Sequence, residues 1–205
     1  AILKSREANG PGAQRIGVVG LGAGTLAAYA RPGDYLRLYE INPLVLDIAA
    51  REFSFLPEDR KQYDLVLGDA RLSLERESPN NFDVLAVDAF SGDAIPVHLL
   101  TSEAFALYLR HMKPNGVLAI HVSNKFLELA PIVKAAADHF GKRTILIDGD
   151  EDDDKGVYGS TWVLVVAPDA PIFNMDLGED AKPIESKRVV RIWTDDYSSI
   201  YPILK

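Results

Sequence analysis

Cysteine is absent from the 205-residue chain. That excludes disulfides and zinc–thiolate centres and leaves the compartment open. A basic excess is absent too: 30 acidic side chains stand against 22 lysines and arginines, for a net charge of −8 and a pI of about 5.0. Such a chain has no electrostatic footprint for nucleic acid, and its field favours a cationic ligand. No apolar run approaches the ~20 residues of a membrane-spanning helix, and no secretory signal is visible. The histidines, His98, His111, His121 and His139, show no metal-ligand spacing, so no metal is expected. Ordinary helix or surface roles are assigned to them, with His121 set apart by its place near a strand end. There is no internal repeat and no supported Ser/His/Asp arrangement. The first residue is Ala1, not Met, which reads as a processed or excised piece of something longer. The expected location is the cytoplasm, as a free chain or as the soluble part of a larger membrane-attached protein, without membrane contact of its own.

What is present is a chain 47% hydrophobic, enough for one sizeable core. Its organising stretch is Arg15 to Arg31, RIGVVGLGAGTLAAYAR. An apolar strand at 15–20 runs into a glycine turn and then an Ala/Leu run expected to be helical near 24–31. Residues 1–14 read as a loose lead-in. Further strands are expected at 35–40, 63–67, 82–87, 117–122, 143–147 and 161–167. Helices are expected from Pro43 to about Phe55, from 70 to 77, from Thr101 to Met112, and from Lys125 to Phe140 with a kink or break at Pro131. Lys113 to Gly116 reads as a turn. Strands alternating with helices imply an α/β, Rossmann-like, doubly wound and mostly parallel sheet. The last two strands lack a helix between them and imply an antiparallel edge. That pattern resembles the class I S-adenosylmethionine-dependent transferase fold, seven strands in the order 3-2-1-4-5-7-6 with the terminal strand antiparallel. A binding domain at 15–167 and a tail at 168–205 packed on it complete the reading.

In such sheets ligands sit at the carboxyl ends of the strands. The first strand ends at Gly20, Gly22 and Gly24, which let the backbone turn tightly and approach a ligand. The second ends at Glu40, either an acceptor for both ribose hydroxyls or a solvated acid. The third ends at Asp69 and Ala70; Asp69 suits an adenine amino group, a helix N-cap, or both. The fourth ends at Asp88. Ser123 and Asn124, at the fifth, read as loop and cap residues. Acids converging from three strand ends fit a nucleoside with a ribose, an adenine and a positive centre. A phosphate-rich dinucleotide fits less well, since the rim repels it and no basic side chain stands near the glycine loop.

The segments VVGLGAGTLAAY, YEINPLVLDIA, LGDARLSLERE, FDVLAVDAFSGDAIPVHLLTSEAFALYLRHMKPNGVLAIHVSN and WTDDYSS together resemble the spermidine synthase-like proteins, the polyamine aminopropyltransferase superfamily. The resemblance is strongest to a bacterial branch whose soluble domain is often fused to a transporter-like membrane region. It implies an S-adenosylmethionine-type donor, ordinary or decarboxylated, a small amine acceptor and a homodimer. It maps Asp88 onto the acid that orients and deprotonates the attacking amine. A carboxylate suits that task, because a protonated amine has no lone pair. Asp93 maps loosely onto the family's second loop acid, and Tyr158, in VYGSTW, onto a tyrosine of the amine pocket. Asp195 and Asp196 are distinctive and read equally as substrate contacts or as structural caps. Asp150 to Asp154 read as a solvated charge run.

Two departures qualify the match. Family enzymes carry an acid in the glycine loop, as in GGGDG, where it holds the donor's amino group; this chain has Ala23. They also carry an N-terminal β-domain, for which 1–14 is too short. Aminopropyl transfer to a polyamine-type amine is the leading expectation, favoured by Asp88 in its loop. A small-molecule methyltransferase and a non-catalytic S-adenosyl-ligand domain attached to a transporter are the alternatives, favoured by Ala23.

Overall fold

The computed structural model describes residues 1–56, 63–89, 96–150, 159–185 and 189–205. The strands are β1 (Arg15–Val19), β2 (Tyr35–Glu40), β3 (Tyr63–Leu67), β4 (Phe82–Val87), β5 (Met112–His121), β6 (Arg143–Gly149), β7 (Ser160–Val166) and β8 (Ala181–Lys182). The helices are α1 (Ile2–Asn9), α2 (Pro43–Glu52), α3 (Ala70–Arg76), α4 (Ser102–Arg110) and α5 (Ala130–His139). The sheet order is β3-β2-β1-β4-β5-β7-β6-β8. The β1–β2, β1–β4, β2–β3 and β4–β5 pairs are parallel, while β5–β7 and β6–β7 are antiparallel. This is the expected order, extended by the two-residue β8 antiparallel to β6.

Alternation along the strands divides the core. Val19, Tyr39, Leu85, Val87, Leu118 and Ile120 share one face with α3, α4 and α5. Ile16, Val18, Leu36, Leu38 and Val84 point to the other, with Ala49 of α2 and Ile2 of α1. The central strand β4 is buried at every position, as a strand covered on both faces must be. Caps fix where helices begin. The Asn42 side chain accepts from Leu44 N–H with Pro43 next in line, and Thr101 caps α4 from Ala104 N–H.

Four local expectations change. Residues 1–14 are not loose: α1 covers most of them and buries Ile2, Ser5 and Arg6. Its anchor is polar, a buried ion pair from Arg6 to Asp34 in the turn before β2. The helix expected near 24–31 is a short 3-10 turn, Thr25–Tyr29. Pro32 forces the residue before it towards extended backbone, and Ala30 is already extended. Pro131 does not kink a helix; it lies in the first turn of α5, where its missing N–H has no partner to lose. Lys113 to Gly116 is carried as an irregularity within β5, since Phe82 pairs with Met112 and Val84 with Val117.

Candidate functional site

The carboxyl ends of β1, β2, β3 and β4 open into one cavity of about 530 Å³, within the ~300–1,000 Å³ range of small-molecule sites. Gly20, Gly22, Glu40, Asp69, Ala70 and Asp88 all line it. These strand-end residues thus share one continuous surface. Gly24 is not on that surface; it sits at φ +86 where the loop enters the 3-10 turn.

The glycine loop is held from both sides. Gly20 N–H donates to Tyr39 O at 2.9 Å, and Asp88 N–H donates to Val19 O at 2.8 Å. A Cβ on Gly20 would stand 2.3 Å from Asp88 O, so only glycine fits between the two strands. Gly22 differs: its missing side chain would meet nothing within 4 Å. There the bare backbone faces open space, as a ligand cradle requires.

Glu40 is not a solvated acid. It is 7% exposed. Its Oε2 accepts Leu21 N–H at 3.0 Å and its Oε1 accepts Asn42 N–H at 2.8 Å. Each oxygen keeps a further lone pair for a ligand hydroxyl. One side chain thus ties the glycine loop to the end of β2 and still offers two acceptors. Behind it, Tyr39 donates to Glu77 at 2.8 Å, and Arg37 donates to Glu77 at 2.7 Å. Burial raises the Tyr39 phenol above its usual range. Burial also pushes Glu77 upwards, but donors from Arg37, Asn80 and Tyr39 outweigh it and hold the carboxyl below the usual range.

Asp69 caps α3, its Oδ1 accepting Leu72 N–H at 2.9 Å. Its Oδ2 lies 3.2 Å from His98 Nε2. His98 is thereby part of the cavity wall, a position the sequence reading did not give it. Asp88 has a partner the sequence did not reveal either: its Oδ1 lies 2.7 Å from His121 Nδ1. The strand-end location of His121 was legible, but the contact depends on β5 lying beside β4.

The tail reaches the neighbourhood by another route. Trp193 is buried, and its carbonyl accepts Ser102 N–H at 2.8 Å. Asp195 then forms a two-point ion pair with Arg71 and accepts from Thr101 Oγ at 2.8 Å. The Arg71 guanidinium holds the Asp195 carboxyl below its usual range. Asp195 is a clasp between the tail and α3 and is not on the cavity surface; Asp196 beside it is exposed. Asp93, Tyr158 and most of the acidic run at 150–154 lie outside the described residues. Among the described residues no cluster of His, Asp and Glu is arranged to hold a metal ion, and no helix is long and apolar enough to cross a membrane.

No protein-family model matches the chain. In sequence it is 34% identical over 121 residues to the polyamine aminopropyltransferase of Vibrio vulnificus, covering 57% of this chain and 39% of that protein. It is also 34% identical over 109 residues to the N-terminal histidine N-methyltransferase of Emericella nidulans, covering 51% of this chain and 19% of that one. The matched region is thus well under two thirds of either relative. Among solved structures, spermidine synthase from Thermotoga maritima superposes with a TM-score of 0.65 at 14% identity, over 94% of this chain and 66% of that one. Human methyltransferase-like protein 13 in complex with SAH gives 0.61 at 18% identity, over 82% and 78%. The fold is that of the class I S-adenosylmethionine-dependent transferases. In sequence the chain is similar to a polyamine aminopropyltransferase, and in fold to spermidine synthases.

Proposed function

We propose that the chain is the donor-binding core of a spermidine synthase-like transferase, which moves an aminopropyl group from an S-adenosyl sulfonium to a polyamine-type amine. The observation that carries this reading is the convergence of Gly20, Glu40, Asp69 and Asp88 on one acidic cavity. In this reading Glu40 accepts the ribose hydroxyls. Asp69 takes the adenine amino group, exchanging His98 for it. The open backbone at Gly22 lets the sulfonium chain pass close to the loop. Asp88 receives a proton from the acceptor ammonium, and the freed lone pair forms the new C–N bond. The C–S pair leaves with sulfur as a neutral thioether, so the positive charge passes from donor to product. Glu40, Asp69 and Asp88, all on the cavity wall, are acceptors that suit cationic substrates. Asp93 and Tyr158 belong to the acceptor side in the same reading.

A second reading, methyl transfer to a small molecule, is favoured by Ala23, which removes the carboxylate that would pair with a decarboxylated donor's ammonium. The sequence match to an N-methyltransferase supports it too. One experiment separates the two. The protein is incubated with decarboxylated S-adenosylmethionine and putrescine, and in parallel with S-adenosylmethionine and the same amine, and the nucleoside products are resolved by chromatography. Methylthioadenosine is the expected product. S-adenosylhomocysteine would instead carry the second reading, and neither product, with donor still bound, would leave a binding domain.

A further inference from the structure

Asp88 does not stand alone at the end of β4. Its Oδ1 lies 2.7 Å from His121 Nδ1, and the other ring nitrogen lies 2.7 Å from Ser123 Oγ. Ser123 Oγ in turn accepts Thr161 N–H at 2.8 Å. The ring plane is set by Trp162, stacked on it at 4.9 Å between centroids and 20° between planes. Trp162 is its register partner on the antiparallel strand β7. Two edges and one face of the imidazole are therefore fixed by β4, β5 and β7 together.

The hydrogen-bond directions follow from the groups present. A carboxylate only accepts, so Nδ1 carries the hydrogen whenever Asp88 is ionised. In the neutral ring Nε2 is then the acceptor, and the Ser123 hydroxyl, already accepting from Thr161, donates to it. Thr161 N–H to Ser123 to His121 to Asp88 is one chain of donors ending on a single carboxylate oxygen. Asp88 is left with one oxygen tethered and the other, Oδ2, free of that chain. The side chain is 36% exposed on the cavity wall.

We propose that His121 is the positioning residue for Asp88, holding Oδ1 through its Nδ1–H so that Oδ2 meets the attacking amine. This rests on the transfer reading above and deepens it. An unsupported aspartate turns freely about its side-chain torsions. A tethered one offers a single basic oxygen at a defined point, which is what in-line attack on a carbon beside sulfur needs. His121 does not touch the substrate; it acts through Asp88.

Three variants and one spectrum test this. The asparagine amide nitrogen reaches the place of Nδ1, whereas that of glutamine reaches the place of Nε2. His121→Ala is expected to lower kcat about 100-fold, the scale of an ångström's misplacement of a reacting group. Donor Kd stays within about twofold in all variants, since the tether does not touch the donor subsite. His121→Asn restores kcat to within about tenfold of the parent and His121→Gln does not, because only the first replaces the lost donor. Equal rescue by both, or an alanine variant as fast as the parent, overturns the inference. Nitrogen-15 spectra of the imidazole give an independent readout: the Nδ1–H tautomer supports the tether, and the Nε2–H tautomer overturns it. If the parent protein releases no product from either donor, the transfer reading fails by itself, and the tautomer still decides the pairing with Asp88.

Discussion

Gly20 and Asp88 meet backbone to backbone, with the position of a Cβ on Gly20 only 2.3 Å from the Asp88 carbonyl oxygen. The glycine loop and Asp88 are thus held against each other by main chain, independent of either side chain. Gly20 also has φ +91, a region that side-chain-bearing residues avoid. Gly20→Ala should cost at least about 2 kcal/mol through strain and overpacking. For a chain of this size that lowers Tm by about 4–8 °C in a thermal melt. An unchanged Tm would mean that the two strands separate easily and that the loop is not fixed by Asp88.

The side chain of Asp88 is a different matter from its backbone. Asp88→Asn keeps the shape and removes the basicity. Turnover should fall by about 10²–10⁴, the usual worth of a positioned general base. Donor affinity should stay within about twofold, because the proposed ribose and adenine contacts, Glu40 and Asp69, belong to the ends of β2 and β3. Steady-state kinetics with calorimetric binding checks both halves. Undiminished turnover would remove Asp88 as the base.

His111 sets an acid limit on stability. It is fully buried, its Nε2 facing Leu74 O at 2.9 Å while Nδ1 accepts Asn80 N–H at 3.2 Å. One nitrogen donates and the other accepts, so the ring is neutral in the fold. Burial lowers its pKa below the ordinary histidine value. In the unfolded chain it protonates near ~6.5. Between that value and the lower folded one the unfolded state binds more protons, so stability rises with pH. The contribution is complete above pH ~6.5 and is lost as pH falls through the folded value. Urea midpoints should therefore drop between pH 7.5 and 5.5, and His111→Gln should flatten that limb. A limb of the same steepness in the variant would assign it to other groups.

Asp195 separates two meanings of the tail motif. If the Arg71 clasp is its whole role, Asp195→Ala should speed amide hydrogen exchange across residues 193–204. Donor affinity and the amine KM should then change by less than about twofold. A raised amine KM with unchanged exchange would instead make Asp195 a substrate contact.

The strand order was legible because parallel strands covered on both faces are continuous apolar runs, and turn residues punctuate them cleanly. The strand-end acids were legible for a related reason: Glu40 closes a strand, Asp88 directly follows one, and Asp69 follows one after a single glycine. What escaped depends on partners distant in sequence. The clasp joins residues 124 apart and carries no periodic signal. The first helix is fixed by the Arg6–Asp34 pair instead of an apolar stripe, so its pattern reads as loop. The strand-end place of His121 was visible, but its contact with Asp88 comes from β4 and β7, its neighbours in the sheet and not in the chain.

Calorimetric titration decides whether the cavity around Glu40 is an adenosyl-sulfonium pocket. S-adenosylmethionine and its decarboxylated form are each titrated into the protein and into Glu40→Gln. Saturable one-to-one binding of at least one donor is expected. That binding should weaken about tenfold or more in the variant, the worth of charge-assisted hydrogen bonds of ~1.5–3 kcal/mol. No binding of either donor, or equal affinity in Glu40→Gln, would contradict it.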